Sequence, residues 1–186
     1  YTIEVLHDDV TLNYLEITND NPSTASTNSG GVLVRAYSNF VMKHCIIRDI
    51  SSSNDDYGLL LYGTDSSYIG NWNRIENIEE YGIGLGNGND DISIRYCRIT
   101  GNDVGVYAWN NALSKIYVHN CSIFGNTNYG MKNDYTSYDI NATCNWWGST
   151  TGPYHSTNPG GTGNQVSDNV IFAPWLMNLH WANPAC

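Results

Sequence analysis

Apolar and polar residues alternate along the chain in short runs, and the runs recur at a fixed interval. Ile92, Ile94, Cys97 and Ile99 return one repeat later as Ile116, Val118, Cys121 and Ile123. Phe40, Met42, Cys45 and Ile47 follow the same template, as do Val10, Leu12, Leu15 and Ile17. Alternation at period two sends every second side chain to one face, which is the geometry of a strand. The step of two and then three positions around Cys97 predicts a bend between two short strands. Ahead of each block stands a glycine and a further alternation, with Gly58, Gly82, Gly105 and Gly130 at nearly equal intervals. Helices are not expected. Gly, Asn and β-branched residues are abundant, and no window carries a capped 3.6-residue apolar period.

Strands this short cannot bury their inward residues alone, so a period of roughly 24 residues implies stacked coils. The expected fold is all-β, a single-stranded parallel β-helix of about six coils. At about 4.8 Å per rung it forms a rod roughly 30 Å long. A leucine-rich solenoid shares the period, but its dense leucine framework is missing; the inward positions are mostly Ile, Val and Cys. The coils are expected over residues 1–149, and residues 150–186 form a segment of different character within one domain. Residues Tyr1–Thr18 already obey the template without a polar lead, so the first coil is expected to expose unpaired backbone and to meet a partner or a neighbouring domain. The run Asn19–Gly31 reads as a long polar loop.

A net charge of -10 with only eight basic residues argues against nucleic acid or an anionic membrane as partner. No apolar run reaches about 18 residues, so membrane insertion is not expected. Scarce lysine beside plentiful Asn, Ser, Thr, Gly and Tyr is typical of extracellular or cell-surface proteins. The histidines, His7, His44, His119, His155 and His180, show no metal-ligand spacing. The five cysteines contain no Cys-x-x-Cys pair. Cys45, Cys97 and Cys121 share one inward slot and read as a buried thiol ladder; Cys97 and Cys121, on adjacent rungs, leave a disulfide open as the alternative. Cys144 and Cys186 fall outside the ladder and are the preferred disulfide, tying the tail to the last coil.

From Asn141 the chain reads NATCNWWGSTTGPYHSTNPGGTGNQVSDNVIFAPWL. Together with the Ile-x-Gly-Asn corners at Ile99–Asn102 and Ile123–Asn126, it resembles the right-handed parallel β-helix repeat proteins of the NosD and pectate-lyase-like superfamily. The Asn145-Trp146-Trp147-Gly148 block, Gly152-Pro153 and the Val170-to-Leu176 ending are similar to the C-terminal cap of that family. The resemblance implies a right-handed helix whose last coil is covered by Trp146, Trp147, Phe172 and Trp175. It also implies one of three roles: a surface or fibre-forming structural module, a polysaccharide lyase or glycoside hydrolase, or a periplasmic accessory of metal maturation.

Several residue sets carry candidate chemistry. Asp90 and Asp91, in Gly-Asn-Asp-Asp-Ile-Ser-Ile, resemble the paired aspartates of polygalacturonases, which divide acid and base roles. The Gly-His-Gly and Arg-Ile-Lys segments of those enzymes are absent, as is the Asp-Pro-His-Asp of mannuronan epimerases, and turn chemistry at a coil corner explains the pair without catalysis. Asp55, Glu79 and Asp103, evenly spaced at the repeat interval, predict a carboxylate column that would suit Ca²⁺. If Leu59, Leu61, Ile83, Leu85, Val106 and Ala108 point inward, then Tyr62, Tyr107, Trp109 and Lys132 point outward around Gly84 and Gly86. That arrangement predicts a shallow dip with aromatic stacking surfaces for polysaccharide. Arg48 and Glu76 are expected to pair on the surface. Asn120 and Asn141 head glycosylation triplets. The favoured expectation is a non-catalytic, extracellular structural module that contacts polysaccharide; the alternative is an enzyme acting on acidic polysaccharide.

Overall fold

Each of the first five coils is built from three short strands. The computed structural model of the chain describes residues 1–19, 29–51, 55–109, 113–179 and 186. Most of the polar loop expected at Asn19–Gly31, and His180, lie outside them. The first coil is β1 (Ile3–Val5), β2 (Thr11–Asn13) and β3 (Glu16–Asn19), and the second is β4 (Ser29–Arg35), β5 (Val41–Lys43) and β6 (Ile46–Ile50). The third is β7 (Asp56–Tyr62), β8 (Asp65–Gly70) and β9 (Arg74–Ile78), and the fourth is β10 (Tyr81–Gly86), β11 (Asp90–Arg95) and β12 (Arg98–Thr100). The fifth is β13 (Val104–Trp109), β14 (Ser114–His119) and β15 (Ser122–Phe124). A sixth turn is begun by β16 (Tyr129–Asn133) and β17 (Ile140–Asn141), and β18 (Val170–Ile171) adds to it. The result is an all-β parallel solenoid of about five turns, with no helix among the described residues.

Corresponding strands of successive coils pair in three parallel sheets, ordered β1-β4-β7-β10-β13-β16, β2-β5-β8-β11-β14-β17-β18 and β3-β6-β9-β12-β15. The register stacks like on like. Ile17, Ile47, Ile75, Ile99 and Ile123 form one inward column, and Leu12, Met42, Ile69, Ile94 and Val118 another. A one-residue slip would turn each column to solvent, which is why the repeat length is held so closely. Between Met42 and Val118 these positions are fully buried.

The recurring glycine has a steric cause. A Cβ on Gly31, Gly58, Gly82 or Gly105 would lie 2.7, 2.6, 2.6 or 2.5 Å from the carbonyl oxygen of the glycine one coil further on. No side chain fits where successive backbones come this close.

The bend predicted before Cys97 is a left-handed corner that recurs in successive coils. His44, Trp72, Tyr96, Asn120 and Cys144 all have positive φ, between 52° and 70°. The residue that follows turns inward: Cys45, Asn73, Cys97, Cys121 and Asn145. Asn73 accepts from the Cys45 amide at 2.9 Å and donates to the Met42 and Gly70 carbonyls, both at 2.8 Å. Asn145 repeats the arrangement with Cys121, Val118 and Ala142. The thiol column is therefore a mixed ladder, with asparagines at Asn73 and Asn145. Cys45, Cys97 and Cys121 are free and buried, and burial holds the Cys97 thiol well above its usual pKa, which leaves it unreactive. A second ladder runs at another corner: Asn102 accepts from the Ile78 amide at 3.0 Å, Asn126 from the Asn102 amide at 3.1 Å, and Asn164 from the Asn126 amide at 3.0 Å.

The end of the stack changes composition. The bridge between Ser122 and Trp146 sets Trp147 beside Ile123, at the end of the isoleucine column, with its ring against Gly130. Trp147 is fully buried and Phe172 nearly so, while the half-buried Trp175 donates its indole N–H to the Thr150 carbonyl at 3.1 Å. Cys144 and Cys186 form a disulfide with Cα atoms 5.5 Å apart. One surface expectation is corrected. Arg48 stands in register with Glu76 but pairs with Glu16 at 2.7 Å and with Asp49, while Glu76 takes Arg74 at 2.6 Å. Nearer partners on the same or the preceding coil win.

Candidate functional site

The outer face of the six-stranded sheet carries the aromatic residues. Tyr62 lies opposite Arg35 and Gly86, Gly86 opposite Trp109, and Tyr107 opposite Gly84 and Lys132. Four rings close a circuit of stacked contacts. Centroid separations are 5.0 Å for Tyr57 and Tyr81, 4.7 Å for Tyr81 and Tyr107, 5.2 Å for Tyr107 and Trp109, and 5.4 Å for Trp109 and Tyr57.

This geometry corrects the expected dip. A Cβ on Gly84 would lie 2.5 Å from Tyr57 and 3.0 Å from Trp109, and one on Gly86 would lie 2.8 Å from Trp109. The glycines leave no hollow, because Tyr57 and Trp109 fold over them and fill it. Tyr57, only 3% exposed, joins Leu33 and Leu60 in a second apolar cluster on the outside of the solenoid, with Tyr62, Tyr81 and Trp109 half-buried around it. Tyr57 and Tyr81 were not singled out in the sequence. The signal was the tyrosine immediately before the coil-opening glycine, repeated at Tyr57, Tyr81 and Tyr129.

Polar groups frame the strip. The Tyr107 hydroxyl donates to Asp134 at 3.0 Å, and the Lys132 ammonium donates to the same carboxylate oxygen at 2.8 Å. Lys132 also lies 5.2 Å from the Tyr107 ring centroid, and the Arg35 guanidinium 5.0 Å from that of Tyr62. Burial, then the Asp134 carboxylate, pushes the Tyr107 phenol well above its ordinary range. Tyr81 is raised by burial first, then by Glu80, Asp55 and Asp103. Both phenols therefore stay protonated and able to donate.

In the acidic column, Tyr57, Tyr81 and Val104 are in register. Asp103 therefore follows the column of Glu80 and Asp56, and Asp55 and Glu79 belong to the neighbouring position. The step from Gly82 to Gly105 is one position shorter than the step from Gly58 to Gly82, which shifts the phase. No group of three acidic, His or Cys side chains able to hold a metal exists among the described residues, so the expected Ca²⁺ column of Asp55, Glu79 and Asp103 is not formed.

Asp90 and Asp91 sit at a coil corner. Asp90 pairs with Lys115 at 3.2 Å, which holds its carboxyl below the usual range, and Asp91 is exposed with φ of 52°. This is the turn geometry that short carboxylates favour. Asn120 occupies a left-handed corner beside the buried Ser122, and Asn141 in β17 accepts from the Thr143 hydroxyl at 3.0 Å.

Parallel strands in three stacked sheets, a steric glycine column and asparagine ladders at the corners define a parallel β-solenoid. The chain belongs to the family described as right handed beta helix region, which matches residues 1–146. No curated protein and no solved structure matches it. Family membership is compatible with a structural or polysaccharide-related module.

Proposed function

We propose that the chain is a non-catalytic structural β-helix module, extracellular or at the cell surface, that contacts polysaccharide along the strip of Tyr62, Tyr81, Tyr107, Trp109 and Lys132. The observation that carries this reading is the run of stacked, part-exposed rings of Tyr81, Tyr107 and Trp109 on the outside of the six-stranded sheet. Aromatic rings stack on the C–H faces of sugar rings, and the flanking Lys132 and Asp134 supply hydrogen-bonding ends. The Cys144–Cys186 disulfide supports an oxidising compartment. Trp146, Trp147, Phe172 and Trp175 serve as the cap expected of NosD-type relatives. The outer edges of β1, β2 and β3 have no strand partner among the described residues, which supports contact there with another protomer or a neighbouring domain.

Affinity electrophoresis against a broad panel of soluble polysaccharides tests the binding role. Retardation by at least one glycan is expected, weakened about five- to tenfold by Trp109→Ala, the loss of roughly one aromatic contact. A chain that no glycan retards does not contact polysaccharide. The enzymatic alternative predicts turnover of an acidic polysaccharide that Asp90→Ala or Asp91→Ala abolishes.

A further inference from the structure

A cleft of about 460 Å³ opens where the last turns meet the segment that follows them. Its walls include Phe124 at the end of β15, Thr127 from the corner after it, the fully buried Trp147, and Tyr154, Thr162 and Gln165 from the following segment. In a chain of 18 acidic and eight basic residues, no residue lining this cleft is charged. The Asp103 carboxylate, next to it in the fold, is engaged by the side-chain amide of Asn128 at 2.6 Å.

The far wall is fixed by backbone. Asn164 donates its main-chain N–H to the Trp147 carbonyl at 2.7 Å, and Gly163 donates to Gly152 at 2.9 Å. Val166 donates to the Tyr154 carbonyl at 3.1 Å. The Thr162 hydroxyl sits 2.7 Å from that of Ser149 and 3.0 Å from that of Thr151. A wall held this way loses little freedom when a ligand arrives.

Against the rigid wall stand polar side chains open to the cleft: Gln165 is part-exposed, and Thr127 and Tyr154 are exposed. Among the described residues the indole N–H of Trp147 is buried with no hydrogen-bond partner. Tyr154 is 48% exposed, so part of its ring is open to contact.

We infer that this cleft is a second binding site, for a neutral glycan. Uncharged pyranose units present C–H faces to an aromatic ring and hydroxyls to planar amides and alcohols, which is the set found here. A uronate or a phosphate would call for Arg or Lys, and none lines the cleft. Tyr154 supplies the stacking surface, and Gln165 and Thr127 read the hydroxyls. The assignment is independent of the outer strip: the residues are different, and either site binds whether or not the other does.

The test is an NMR titration of the full chain with the hexamers of glucose, N-acetylglucosamine and galacturonate. At least one neutral hexamer is expected to shift the Gln165 amide and Trp147 indole resonances. Tyr154→Ala should weaken that binding about tenfold. Gln165→Glu, which keeps the size and adds a charge, should weaken it as well. The Trp109 indole signal reports the outer strip separately, so failure there and failure here are told apart. The assignment is overturned if neutral hexamers at millimolar concentration leave Gln165 and Trp147 unmoved. It is equally overturned if Tyr154→Ala leaves the shifts intact, or if the galacturonate hexamer produces them as strongly.

Discussion

The two faces of the six-stranded sheet bury side chains for different reasons. Inside, Leu59, Ile83 and Val106 stack on one another with no exposure, each fixed by a like residue on the neighbouring coil. Outside, Tyr57 is almost as buried, but by rings from the next two coils folding over two glycines. The inner face depends on the coil-to-coil distance and tolerates no added atom. The outer face depends on side chains that have room to reorient. Stability therefore resides inside, and the outer strip can lose a ring without losing the fold.

The sharpest way to break the comparison is to add one carbon where the coils approach most closely. Gly105→Ala places a Cβ 2.5 Å from the Gly130 carbonyl oxygen, which only backbone movement relieves. A loss of about 3 kcal/mol or more is expected in urea unfolding, far above the roughly 1 kcal/mol expected of Trp109→Ala on the outside. A loss below that of Trp109→Ala would reverse the ranking.

Between the faces stand the corner ladders. Asn102→Ala leaves the buried Ile78 amide without its acceptor, at a cost of about 2 kcal/mol by thermal unfolding. A neutral result would mean that water replaces the amide and the ladder is incidental.

The smallest effect concerns pH on the outside of the second sheet. Burial, then the Arg95 charge, lowers the His119 pKa below its ordinary value. The unfolded chain therefore binds the proton more readily. The contribution of neutral His119 to stability is complete above about pH 6.5 and is lost as pH falls through the lower folded value. His119→Gln is expected to flatten that part of the stability-pH curve and leave the part above it unchanged.

Much of the fold was legible because the sequence period records a real physical repeat. Ile99 and Ile123 are spaced as they are because each sits on the other, and Gly82 and Gly105 recur because their backbones touch. The candidate strip was legible only in part. Tyr107, Trp109 and Lys132 were correctly sent outward by alternation, but the hollow over Gly84 and Gly86 was not there, since period two gives a side chain's direction and not where its ring comes to rest. The acidic column failed by one position, because an even spacing was carried across the coil between Gly82 and Gly105, which is one position shorter than the coil before it. The cleft beside Tyr154 had no periodic signal at all.

The chain's own pattern of alternation and glycine spacing determined that it would coil, how much sequence each turn takes, and which side chains enter the core. These follow from local geometry and short-range packing, which repeat wherever the sequence repeats. Tertiary structure alone decided that Asn73 would stand among cysteines, that Trp109 would reach over β10 to Tyr57, and that Phe124, Trp147, Tyr154 and Gln165 would wall one cleft. Those residues lie in different coils and in the segment beyond them, and only stacking in three dimensions brings them into contact.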